Sequence, residues 1–165
     1  MRNFSISKLQ PETLESIAYV QWFRLQFPRE FEYLWHVPNE RPDPKEAKIL
    51  AAMGVKAGIP DYEIALARGG YFGAHFELKA TGRPPGSVTD KQHARIIALR
   101  KAGKFAYAAI GLDTLKRLTE DYLRMPPTVV ETRAAYDDEI IQRPPLKRPS
   151  LPRAIQAACT QGVSR

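Results

Sequence analysis

Asp61-Tyr62-Glu63-Ile64-Ala65-Leu66-Ala67-Arg68-Gly69-Gly70-Tyr71-Phe72-Gly73-Ala74-His75-Phe76-Glu77-Leu78-Lys79 alternates apolar and polar side chains on either side of a glycine pair. That is the pattern of two half-buried strands joined by a tight turn. Tyr62, Ile64 and Leu66 share one face of the first strand, over residues 61–67; Asp61, Glu63 and Ala65 share the other. In the second strand Phe72, Ala74, Phe76 and Leu78 alternate with Tyr71, Gly73, His75, Glu77 and Lys79. With Arg68-Gly69-Gly70 as a three-residue loop, Ala67 pairs with Tyr71 and therefore Asp61 with Glu77. Cross-strand partners share a face, so Asp61, Glu77 and Lys79 would project together. A two-residue loop would put Asp61 on the opposite face unless a bulge restored the register.

Before this hairpin, Val55-Lys56-Ala57-Gly58-Ile59-Pro60 reads as the loop that delivers Asp61. Before it, Asp43-Pro44-Lys45-Glu46 has the cap, first-turn proline and returning acid of a helix start. That helix is expected to run to about residue 53, with Gly54 as a left-handed stop. Residues 31–37 read as a short strand closed by Pro38-Asn39. Residues 12–26 read as an amphipathic helix, with Leu14, Ile17, Ala18, Val20, Phe23 and Leu25 as its apolar positions. Glu15 lies there beside Ala18, Tyr19 and Trp22, among large aromatics rather than other charges.

Downstream, residues 81–87 form a Gly/Pro-rich loop. Residues 89–102 read as a helix with Thr89 and Gln92 spaced as a capping box and Gly103 as its stop. Residues 105–110 are a short apolar strand, best placed parallel to the Glu77 strand through a right-handed crossover. A last amphipathic helix spans 112–124, with Leu115, Leu118 and Tyr122 inward. From Met125 the texture changes, and six of the fourteen prolines fall beyond it. The expected organisation is therefore one α/β domain over residues 1–124 and a basic, Pro-rich tail over 125–165, extended or partly disordered.

A chain of 165 residues suffices for one domain with a real core. Twenty-five Lys and Arg against eighteen Asp and Glu leave a net charge of +7, which suits a polyanionic partner such as DNA. The single cysteine, Cys159, excludes an intrachain disulfide and fits a reducing compartment. No apolar run approaches the roughly 20 residues of a membrane span, and Met1-Arg2-Asn3-Phe4-Ser5 has no long apolar stretch of a signal peptide. A cytoplasmic site of action is expected.

Ionised groups in a half-buried hairpin are seldom placed there for packing alone. A hard divalent cation such as Mg²⁺ takes oxygen ligands and keeps several waters. Asp61 and Glu77 would supply two carboxylates, and the Leu78 main-chain carbonyl a third oxygen. Glu15 would complete the site or hold a second cation. Lys79 would lie beside the attacking water, to orient it, hold it deprotonated, or stabilise transition-state charge. Gln92 reads first as the capping residue and second as a contact to the site. The plainer reading of Asp61, Glu77 and Lys79 is a surface hairpin with a cross-strand salt bridge. His36, His75 and Cys159 are too scattered for a zinc centre. Lys56, Arg83, Lys91, Arg95, Arg100 and Lys101 are candidates to track a nucleic-acid backbone, or simply solvated charges.

The series of motifs resembles the VRR-NUC domain, a branch of the PD-(D/E)XK nuclease superfamily. The matching stretches are the helix around Glu15, His36-Val37-Pro38-Asn39, the run from Gly54 through Gly58-Ile59-Pro60-Asp61, then Glu77-Leu78-Lys79 and Gln92. The similarity covers residues 14–123. It implies a restriction-endonuclease-like core, a central mixed β-sheet flanked by helices, and hydrolysis of DNA dependent on Mg²⁺ or Mn²⁺. By motif, Glu15, Asp61, Glu77 and Lys79 take the catalytic positions, with Gln92 accessory and Asn39 added to the DNA-binding candidates. Stand-alone members, of phage or prophage type, look like homodimers acting on branched DNA such as four-way junctions, which implies a bacterial host cytoplasm. Glu40 departs from the pattern, where a glycine is expected. Two other readings stay open: a non-cleaving DNA-binding or assembly protein that keeps the fold, and a phosphohydrolase acting on nucleotides, which the absence of a Gly-rich phosphate loop disfavours.

Overall fold

Ala74–Lys79 is the strand about which the chain is arranged in the computed structural model, which describes residues 9–37 and 44–129. Five of its six residues are buried although two of those five are polar, because helices cover the sheet on both sides of it. The strands are β1 (Leu34–His36), β2 (Tyr62–Ile64), β3 (Ala74–Lys79) and β4 (Phe105–Ile110). They lie in the order β1-β2-β3-β4. β1 and β2 pair antiparallel, as do β2 and β3, whereas β3 and β4 are parallel with Glu77 beside Ala108. The result is the expected mixed sheet flanked by helices.

The helices are α1 (Pro11–Gln26), α2 (Pro44–Ala52), α3 (Asp90–Lys101) and α4 (Leu112–Leu123). α1 and α4 pack behind the sheet, and there the core forms. Tyr19 and Phe23, four apart on α1, are fully buried with Tyr62, Ile64, Phe76, Leu78, Leu115 and Tyr122. The rings of Tyr19 and Tyr62 meet edge to face at 4.8 Å, and those of Phe105 and Tyr122 stack at 5.2 Å. Each buried phenol finds a partner, as buried polar groups must. Tyr19 Oη shares a 2.8 Å hydrogen bond with Thr119 Oγ1, and Tyr122 Oη donates to the Leu66 carbonyl.

α1 is rotated from the expected orientation. Leu14, Ile17 and Leu25 are 39%, 41% and 77% exposed, and the buried stripe is Tyr19 and Phe23. Apolar and aromatic residues ring much of this helix, so spacing alone gave no single face, and the largest rings took the core. The stretch 31–37 is also divided. Phe31–Tyr33 is a 3-10 turn and only Leu34–His36 is strand. α2 ends as expected, with Gly54 at φ +94°. Asp43, the cap expected for it, lies outside the described residues together with Pro38, Asn39 and Glu40.

The hairpin differs from the expected one in its turn and agrees in its register. Arg68 and Tyr71 close a two-residue loop by exchanging N–H···O=C bonds of 3.1 and 2.8 Å. Gly69 and Gly70 fill it with φ of +56° and +84°, the left-handed pair a tight hairpin turn demands. Between that bridge and the Ile64–Ala74 pair, three residues (65–67) face two (72–73). This bulge adds the residue that the shorter loop removed. Tyr62 consequently pairs with Phe76 and Glu63 with His75, a register in which Asp61 lies opposite Glu77.

Residues 126–128 run alongside the hairpin, so chain beyond Arg124 is tied to the sheet. Gly69 N–H donates to the Pro126 carbonyl at 2.8 Å, and Thr128 N–H donates to the Ala67 carbonyl at 3.0 Å. The rest of the expected tail, including Cys159, lies outside the described residues.

Candidate active site

The acidic residue after Pro60 is aimed by a loop that only glycine permits. Gly58 has φ +76°, and a Cβ there would stand 2.8 Å from the Lys91 carbonyl oxygen. The loop therefore lies flat against the first turn of α3 and fixes the approach of Asp61 to β3. Asp61 Oδ2 accepts the Leu78 N–H at 2.8 Å. Leu78, expected to lend its carbonyl, thus also orients the carboxylate through its amide.

Glu77 sits at the centre. It is 1% exposed, and its Oε1 accepts from Lys79 Nζ at 2.7 Å and from Gln92 Nε2. Its Oε2 is buried and makes no hydrogen bond. Burial, with Asp61 adding to it, pushes the Glu77 carboxyl up to about 7, against the pull of Lys79. Burial works against the Lys79 ammonium, but the hydrogen bond and charge of Glu77, joined by Glu12 and Asp61, hold its pKa above the ordinary lysine value. Lys79 is accordingly a fixed positive charge at neutral pH.

Gln92 serves two ends at once. Its backbone N–H donates to Thr89 Oγ1 at 3.3 Å and its Oε1 accepts the Thr89 N–H at 2.9 Å, which completes the capping box of α3. With the amide oxygen so engaged, the NH₂ end points at Glu77. The two roles weighed for Gln92 are both present in the geometry.

Glu15 is placed at the end of β3. Its Oε1 accepts the Thr81 N–H at 3.0 Å, and its Oε2 is buried without a hydrogen bond. Glu12, one helical turn earlier, was not singled out from the sequence. It lines the same cavity as Asp61 and raises the pKa of both Glu77 and Lys79. An acid in a first helical turn reads as favourable to the helix dipole and nothing more. Its position one turn from Glu15 was the available signal.

Beside the site, the His75 ring is buried, and burial lowers its pKa, with Glu63 opposing and Lys104 adding. His75 Nε2 lies 3.7 Å from Glu63 Oε1, and neither ring nitrogen makes a hydrogen bond. Among the described residues no three His, Cys, Asp or Glu side chains converge as a metal centre on their own. Asp61 and Glu77 are a two-carboxylate set, suited to an ion that keeps several waters.

The basic candidates are dispersed. Arg83 lines the cavity that Asp61 and Glu12 share. Lys91 and Arg95 line a smaller hollow with Ala57, next to exposed Lys56, and Arg95 Nε is buried there without a hydrogen bond. Arg100 instead lies over the Tyr107 ring at 4.1 Å and donates to the Ala106 carbonyl. Asn39 lies outside the described residues.

No protein-family model matches the sequence, and no curated protein does. Among solved structures, one titled "VRR_NUC domain protein" superposes with a TM-score of 0.63 at 32% sequence identity. The match covers 73% of this chain and 93% of that one.

Proposed function

The chain belongs to the VRR-NUC domain family, and from that premise we propose that it is a metal-dependent DNA endonuclease of the PD-(D/E)XK type, selective for branched DNA. The observation that carries the proposal is the Glu77 carboxylate, buried opposite Asp61 and beside Lys79 with one oxygen left without a hydrogen bond.

A carboxyl raised to about 7 by burial and by a second carboxylate is short of positive charge. Lys79 and Gln92 both approach Oε1, which leaves Oε2 as the free ligand. Asp61 and Glu77 would hold Mg²⁺ or Mn²⁺, with the unpartnered Glu15 Oε2 and with Glu12 as further acids on the α1 side. When bound, the cation would lower the pKa of water and offset charge on the phosphoryl oxygens.

The remaining steps fall to the protein's own groups. The sheet register keeps the two carboxylates on one face, and the Leu78 amide holds Asp61 still. Lys79, kept protonated by its ion pair with Glu77, is not a general base. Its ammonium would stabilise the negative charge that grows on the non-bridging oxygens as water attacks phosphorus in line, the bond to the leaving sugar oxygen breaks, and the water's proton passes to solvent. Gln92 stops Glu77 from turning its free oxygen away.

The test is a cleavage panel of labelled four-way junction, flap, linear duplex and single-stranded DNA in Mg²⁺, Mn²⁺ or EDTA. The proposal expects cutting of the junction in either metal and none in EDTA. Equal cutting of every substrate would remove the branch selectivity. Tight, salt-sensitive binding without cutting in either metal would replace the nuclease with a DNA-binding protein that keeps the fold.

A further inference from the structure

Ile17 is a large apolar residue at helical spacing on α1, yet it is 41% exposed and stays out of the core. With Pro11, Val20, Tyr62 and Ala80 it walls a cavity of about 1010 Å³ that has Asp61 on its lining. That volume is at the upper end of the roughly 300–1,000 Å³ of small-molecule sites. The His36 ring lines it too, set edge to face against Tyr62 at 5.2 Å. Beside His36, the polar lining consists of amides and hydroxyls from Gln10, Gln21, Thr13, Ser16 and Thr81, one cation, Arg83, and the acids Glu12 and Asp61.

One cation against two acids makes a poor receptor for phosphate alone. Apolar walls, an aromatic ring and neutral hydrogen-bonding groups suit a flat, uncharged ring with polar edges. We propose that this cavity takes an unpaired nucleobase of the strand being cut, packed against Ile17 and His36 with its sugar–phosphate toward Arg83. The base would enter beside Asp61, so the subsite would select DNA in which a nucleotide next to the scissile bond is free of its partner. The inference rests on the nuclease reading and gives that site a substrate feature.

The experiment is fluorescence anisotropy with the full chain in Ca²⁺. It compares a blunt duplex with the same duplex bearing a three-nucleotide overhang, of either polarity. A stacked base should make one overhang probe bind about tenfold more tightly than the blunt one. Ile17→Glu, which sets a charged carboxylate where the base would pack and starts from an exposed position, should abolish that increment and leave blunt-duplex affinity within a few fold of wild type. His36→Ala, which removes the ring without filling the space, should reduce the increment severalfold. Equal affinity of wild type for all probes, or an increment that survives Ile17→Glu, overturns the proposal. A wild type that cuts nothing in Mg²⁺ while the increment holds would overturn the nuclease reading and leave the base-binding cavity standing.

Discussion

A carboxylate that is 1% exposed, with one oxygen lacking a partner, is held by its sheet in a condition it would not adopt in water. The Glu77 pKa in the folded chain is raised from 4.5 to about 7 by burial and by Asp61, so the fold prefers the protonated form. Its contribution to stability is therefore complete below about pH 4.5 and is lost as pH rises through 7, a loss of up to about 3 kcal/mol. In EDTA, thermal melts from pH 5 to 8 should show this decline, and Glu77→Gln should flatten it. Mg²⁺ should restore the lost stability, and more of it at pH 8 than at pH 6, since the ligand form is the ionised one. An Mg²⁺-induced shift as large in Glu77→Gln as in wild type would contradict the assignment. At the same scale, Gln92 can be separated from its cap. Thr89→Ala and Gln92→Ala should each cost about 1 kcal/mol in denaturant unfolding. Only Gln92→Ala, which also frees Glu77, should slow single-turnover cleavage by about tenfold or more.

Among the elements, much was legible where chemistry is local. Thr89 and Gln92 three apart announced the start of α3, and Gly54 the stop of α2. The apolar run of β4 and the length of chain before it announced a parallel neighbour for β3. What escaped depends on count or on competition between elements. Alternation reports the face of each residue and is blind to a residue inserted at 65–67. The correct Asp61–Glu77 register was therefore reached with the wrong turn, and the two-residue loop and the bulge offset each other. α1 carries apolar or aromatic residues on several sides, and the contest among them is settled by the volumes of Tyr19 and Phe23 against the sheet. The Gly58 loop offers the test at this scale. Gly58→Ala asks for an L-residue at φ +76° and a Cβ 2.8 Å from the Lys91 carbonyl oxygen. It should cost about 1–3 kcal/mol in denaturant unfolding. Because it also shifts Asp61, cleavage should fall further than that of an equally destabilised variant on α4.

For the molecule as a whole, one sheet divides the labour. The face packed by α1 and α4 supplies the core, and the face under α3 supplies the charged residues, so the strand that anchors the fold also carries Glu77 and Lys79. Paired cuts across a four-way junction would need two such sites related by a two-fold axis. The proposal accordingly includes a homodimer, and light scattering at micromolar concentration should return about twice 18.7 kDa. A monomer would leave single-strand cutting and remove paired cutting. The most direct measurement of the central claim is the single-turnover rate of DNA cleavage in Mg²⁺ by wild type and Lys79→Ala, with binding followed on the same DNA by anisotropy. Loss of the fixed ammonium should lower the rate by at least about 10²–10³-fold and leave affinity within a few fold. A Lys79→Ala protein that cuts at the wild-type rate would contradict the assignment of Asp61, Glu77 and Lys79 as the place where the bond is broken.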